Sequence, residues 1–162
     1  MLNADLSRWI HSVVRATHPD AVLREWGSVL VPLAENPVVI AVTEREIAPL
    51  MGESRPPVTF QAVRLAAPVR IDYPPSAELD GLLHLLQSRV GFGALVQITG
   101  KEDPAGPTLC ILEVECVFPA DCLRDSLILR SVELVNAQAL MVRDVLERLT
   151  PPIGGYRGYD VP

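Results

Sequence analysis

Ile128, Val132, Val135, Ala139, Val142, Leu146 and Leu149 follow one another at steps of four and three, which lines them along one side of an α-helix. Glu133, Gln138, Arg143, Asp144, Glu147 and Arg148 fall on the other sides, and Asp144 precedes Arg148 by one turn in the favourable acid-before-base order. The narrow stripe requires burial, either across a sheet or against a partner helix. The helix is expected to start after Pro119, with Asp121 or Asp125 as cap, and to end before Pro151.

The same reading taken from the start of the chain predicts a first amphipathic helix on Leu2, Leu6, Ile10 and Val13, which Asn3 could cap and which ends before His18-Pro19. Residues 21–34 are β-branched with a break at Gly27, and predict a strand or one half of a hairpin. Val38 to Val42 is a short apolar strand, and the run Thr43 to Leu50 reads as a helical turn stopped by Pro49. A third strand follows at Val58 to Leu65, where Val58, Phe60 and Ala62 alternate with Thr59, Gln61 and Val63; Val69 to Tyr73 extends it past Pro68. Ser76 caps a second helix carrying Leu79, Leu82, Leu83, Leu86 and Val90, with Gly91 as its left-handed stop. Ala94 to Thr99 and Thr108 to Phe118 are the last strands. The second puts Cys110, Leu112, Val114, Cys116 and Phe118 on one face and Glu113 and Glu115 on the other, which reads as wet. The elements predict one α+β domain over residues 1–150, a twisted antiparallel sheet flanked by helices, followed by a flexible Pro-, Gly- and Tyr-bearing tail over 151–162.

Composition narrows the functional classes. At 162 residues the chain buries a sizeable core as a single domain, and with 49% hydrophobic but 5% aromatic residues that core is aliphatic. Lys101 is the only lysine, and 14 cations against 20 acids leave a charge of -6, which disfavours direct nucleic-acid binding. No apolar run reaches the roughly 20 residues of a membrane helix, and the beginning MLNADLSRWI lacks signal-peptide order, so a cytoplasmic protein with no membrane partner is expected.

Three cysteines spaced C-x5-C-x5-C match no zinc pattern and read as buried free thiols. His11, His18 and His84 have no second ligand at i+3 or i+4, so neither a metal nor another cofactor is expected. Gly91-Phe92-Gly93 lacks the third glycine of a phosphate loop, and Glu44 and Glu46 around Arg45 read as a solvated turn. No catalytic residue emerges. Trp9 and Trp26 read as structural. Tyr156, Arg157 and Tyr159 are the candidate partner contacts in the tail, since aromatics with Arg are favoured in interfaces. The second helix is leucine-rich around much of its circumference, which points to a subunit contact through Leu79, Leu82, Leu83, Leu86 and Val90, continued by Leu95.

The order helix, three strands, helix, two strands, helix over Asn3 to Leu149 resembles that of the class I type III secretion chaperones and the bacterial YbjN-like family that shares their fold. The resemblance implies a small acidic homodimer that binds other proteins without catalysis, its dimer formed around Leu79 to Val90 and Ala94 to Thr99. The function expected is therefore a dimeric adaptor or chaperone-like regulator with an unidentified protein partner. Two alternatives stand beside it: a small-ligand sensor or enzyme with an apolar pocket, and a weakly single-stranded nucleic-acid-associated accessory protein.

Overall fold

The computed structural model describes residues 3–34, 36–47, 56–71, 77–100 and 109–149. Helix α1 (Asn3–Arg15) is followed by strands β1 (Val22–Leu23), β2 (Val29–Val31), β3 (Val38–Ile47) and β4 (Val58–Ile71), helix α2 (Ala77–Gln87), strands β5 (Ala94–Gly100) and β6 (Leu109–Pro119), a 3-10 turn (Ala120–Cys122) and helix α3 (Asp125–Leu149). The strands form one open sheet in the order β1-β2-β3-β4-β6-β5, with every neighbouring pair antiparallel. This is the expected α+β class with helices on an antiparallel sheet. One strand is added, because residues 21–34 supply both β1 and β2. Gly27, at φ 79°, turns the chain between them, and the Arg24 N–H donates to the Ser28 carbonyl at 2.8 Å.

All three helices share one face of the sheet. Leu6, Ile10 and Val14 of α1, Leu83 and Leu86 of α2 and the α3 stripe join Val29, Val31, Val38, Ile40, Val63, Leu65, Val69, Leu112 and Val114 in a single buried cluster. In α3, Ile128, Val132, Val135, Ala139, Val142 and Leu146 are all buried as the spacing predicts, and Arg148 reaches Asp144 at 2.9 Å. The side chain of Leu149, like the tail after it, lies outside the described residues. Asp125 is the first helical residue and Asp121 belongs to the preceding turn, so neither is the cap expected; Asp125 instead places negative charge in the first turn, where the helix dipole favours it.

Two further expectations are corrected and one is met. Thr43 to Ile47 does not form a helical turn: it continues β3, because each residue pairs with one of Val58 to Ala62 on β4. As expected, β4 continues past Pro68, and it is described to Ile71. The β3 partner strand ends its pairing at Ala66, so at Pro68 only β6 is alongside, and a missing N–H on the other edge costs no ladder bond. Helix α2 stops at Gln87, and Gly91 is not left-handed; Arg89 and Val90 instead close the end by donating to the Leu86 carbonyl at 2.8 and 3.2 Å.

Ser131 is fully buried on α3, and among the described residues its hydroxyl has no hydrogen-bond partner. An unpaired buried hydroxyl costs about 1–3 kcal/mol. Ser131→Ala is therefore expected to leave stability unchanged or raise it by up to about 1 kcal/mol in urea unfolding, whereas a loss of more than that would mean the hydroxyl is bonded.

Candidate interaction surface

The face of the sheet turned away from the helices is the surface with unspent apolar chemistry. Val39, Ala41 and Thr43 of β3, Ala62, Arg64, Ala66 and Pro68 of β4, and Glu113, Glu115 and Val117 of β6 alternate with the core residues and occupy it. None of these belongs to the buried cluster under the helices, although Ala62, Ala66 and Glu113 are themselves buried, and among the described residues no helix packs on them. Beyond the helices, β3 and β4 run on as a paired arm. There most of the polarity is inverted: Ile47, Val58 and Phe60 lie on the outer face, with Arg45 opposite Phe60, while Glu44, Glu46, Thr59 and Gln61 lie on the helix side. Ile47 and Val58, directly opposite each other, are 60% and 62% exposed.

The alternation of Val58, Phe60 and Ala62 is thus real but faces outward, whereas Val63, Leu65, Ala67 and Val69 of the same strand face the core. The register is continuous through this change, without a bulge. A strand whose apolar positions move from one face to the other is built to be covered on both. At the opposite end of the outer face Ile98 and Ile111, paired across β5 and β6, are also exposed.

Between these apolar ends sits an ion cluster. Arg64 pairs through Nη2 with Glu113 and donates from Nε to Glu115 Oε2 at 2.6 Å. Glu113 is only 7% exposed, because Pro68 and Val96 stand on either side of it in the ladder and the guanidinium lies against it. The expectation of an ordinary wet face at Glu113 and Glu115 is therefore corrected: two carboxylates are held out of bulk water by one cation. Their partner lies 51 residues from Glu115 in sequence, which is why no local pattern reveals it.

The candidate dimer residues divide. Leu83 and Leu86 are consumed in the chain's own core, and Leu82, Val90 and Leu95 are half-buried against it. The leucine that α2 turns outward is Leu85, 55% exposed, and the side chain of Leu79 lies outside the described residues. Strand β5 is an edge of the sheet, so its outer backbone groups have no strand neighbour among the described residues. Tyr156, Arg157 and Tyr159 also lie outside those residues.

Trp9 packs against the core, but Trp26 does not: it rides the β1–β2 turn at 92% exposure, because residues 24–28 are spent on closing the hairpin and leave it nothing to pack on. Among the described residues no three His, Cys, Asp or Glu side chains gather as metal ligands. His11 Nε2 is 3.0 Å from the Ala21 carbonyl, and Glu44 and Glu46 are exposed on a strand instead of a turn.

Cys116 is buried, and burial pushes its thiol up from the ordinary value, helped by the charge of Glu115. It faces the core as expected, whereas Cys122 is exposed in the 3-10 turn, contrary to the reading of all three as buried; the side chain of Cys110 lies outside the described residues. Iodoacetamide at pH 8 followed by peptide mapping should modify Cys122 within minutes and Cys116 only after denaturant is added. Equal labelling of the two in the native protein would contradict this placement.

No family model matches the sequence, and no curated protein does either. Among the described residues no helix is long and apolar enough to cross a membrane.

Proposed function

We propose that this chain is a non-enzymatic, homodimeric protein-binding adaptor, chaperone-like in the manner of the YbjN-like proteins and acting in the cytoplasm. The observation that carries the reading is the inverted polarity of the β3–β4 arm, which turns Ile47, Val58 and Phe60 away from the helices and onto the open face of the sheet. Soluble proteins seldom leave connected apolar surface uncovered unless a partner uses it. Its neighbours on this face are the exposed Arg45 and an ion cluster already engaged with itself, an arrangement suited to holding another polypeptide.

The dimer is assigned to α2 and β5. Leu85 supplies an outward apolar side chain, Leu82 and Val90 flank it, and the β5 edge, where the Leu95 N–H already donates to Gln87 Oε1 at 2.6 Å, supplies beyond Leu95 a strand edge that a second β5 can pair with. Multi-angle light scattering at micromolar concentration is expected to return twice the mass of one chain. Leu85→Asp should shift the protein to the single-chain mass with its circular dichroism unchanged. A wild-type protein that stays a single chain at that concentration would remove the dimer from the proposal.

A further inference from the structure

The two edges of the sheet are guarded unequally. Strand β1 is two residues long and runs straight into Arg24 and Glu25, so brevity and charge keep another strand from adding there. Strand β5 reads Ala94-Leu95-Val96-Gln97-Ile98-Thr99-Gly100, with no charge and no proline along its seven residues, and its register with β6 is continuous from end to end. An edge of this length without those guards is a template for another strand.

Hydrogen-bond directions show which of its groups are free. The Leu95 N–H donates to Gln87 Oε1 at 2.6 Å and so points away from β6. Backbone groups alternate in direction along a strand, so those of Gln97 and Thr99 also point outward, while Val96, Ile98 and Gly100 bond to β6. The Leu95 N–H is spent on Gln87, and beyond Gly100 the sequence turns charged with Lys101, Glu102 and Asp103. The usable edge is therefore residues 96–100, and its midpoint is Ile98. Ile98 and its β6 neighbour Ile111 are each 41% exposed on the outer side of this same edge.

We propose that two copies pair their β5 edges antiparallel about a two-fold axis through Ile98, so that Gln97 of each exchanges backbone hydrogen bonds with Thr99 of the other and one sheet runs through both. This rests on the dimer reading above and fixes its register. The two Ile98 side chains then stand opposite each other in a non-hydrogen-bonded pair, ~4.5 Å apart between Cα atoms, with Ile111 of each copy behind them. Next in that row is Arg70, opposite Ile111 on β4, which lies two strands from the axis and is not brought against its counterpart. An axis at Gln97 would set Leu95 opposite Thr99, whose carbonyl would meet an N–H already given to Gln87 and stay unpaired. An axis at Thr99 would draw the charged Lys101 into the ladder opposite Gln97.

The test uses the full chain with Cys122→Ser, which removes the exposed thiol. With Ile98→Cys added, oxidation by copper phenanthroline is expected to convert the protein to a disulfide-linked pair at least tenfold over the Cys122→Ser parent, because the Cα separation lies within the reach of a disulfide. Val96 and Gly100 face each other across the same axis. Chains carrying Val96→Cys or Gly100→Cys alone should therefore stay at the parent level, and an equal mixture of the two should cross-link. The mixture leaves Ile98 in place, so it decides the register if Ile98→Cys itself loosens the dimer.

A wild-type protein of single-chain mass by light scattering would overturn the dimer and this register with it. A wild-type dimer in which neither Ile98→Cys nor the mixture cross-links would overturn the register and leave the dimer standing. Cross-linking of Val96→Cys alone would move the axis to Val96 and overturn the part given to Gln87.

Discussion

Arg64→Met is expected to destabilise the protein by about 3 kcal/mol, more than its partly exposed position would suggest. The methionine fills much of the volume of the arginine stem, so packing changes little. What is lost is the cation that pairs with two nearly buried carboxylates on neighbouring outward positions of β6. Breaking a buried ion pair from one side costs ~3–5 kcal/mol, because the partner's desolvation is no longer offset; the residual exposure of Arg64 and Glu115 places this case at the lower end. In a domain of this size the loss amounts to a fall of roughly 6–12 °C in melting temperature. Replacing the carboxylates as well, with Glu113→Leu and Glu115→Val in the same chain, should recover most of the loss, since no charge is then left unpaired. A single variant within about 1 kcal/mol of wild type, or a triple variant no better than the single, would show that the three groups do not act together.

Gly93→Ala should cost about 2–4 kcal/mol, and its effect should concentrate at the start of β5. Gly93 has φ 85°, a region that costs a residue with a side chain about 1–2 kcal/mol. In addition, a Cβ there would stand 2.3 Å from the Glu115 carbonyl oxygen, which is backbone and cannot rotate away. The strand would have to move from β6, beginning at the Ala94–Glu115 pair. Gly27→Ala is the control: at φ 79° it carries the same conformational cost, but its Cβ would meet only the Ser7 hydroxyl at 3.6 Å. It should therefore cost only about 1–2 kcal/mol. Amide hydrogen exchange should show β5 losing protection in the first variant and retaining it in the second; equal stability losses would mean that the contact with Glu115 relaxes freely.

The features legible in the sequence are those set by neighbours along the chain. The stripe of α3 is written in the spacing from Ile128 to Leu146, and the alternation of β6 separates Leu112 and Val114 from Glu113 and Glu115 without any knowledge of the fold. Features set by distant residues are misread. Thr43 to Ile47 has nothing against a helical turn locally, and becomes strand because Val58 to Ala62 lie beside it. The alternation at Val58, Phe60 and Ala62 is visible, but a period of two does not say which side is the core; only the continuous register with Val63 to Val69 assigns it outward. Glu113 looks solvated because Arg64, four strand positions from it in the ladder, belongs to another part of the sequence. The leucines of α2 look like surplus until two of them are found in the chain's own core.

The strand order also bears on how the molecule is made. Strands β1 to β4 are neighbours in sequence and can zip together as the nascent chain leaves the ribosome, but β4 receives its second neighbour only when β6 arrives. Synthesis of residues 72–108 takes roughly 2–7 s at ~5–20 residues per second. Throughout that interval the longest strand offers one unpaired edge and the uncovered core row Val63, Leu65, Ala67 and Val69 to solvent, so slow translation of that region should favour aggregation over assembly.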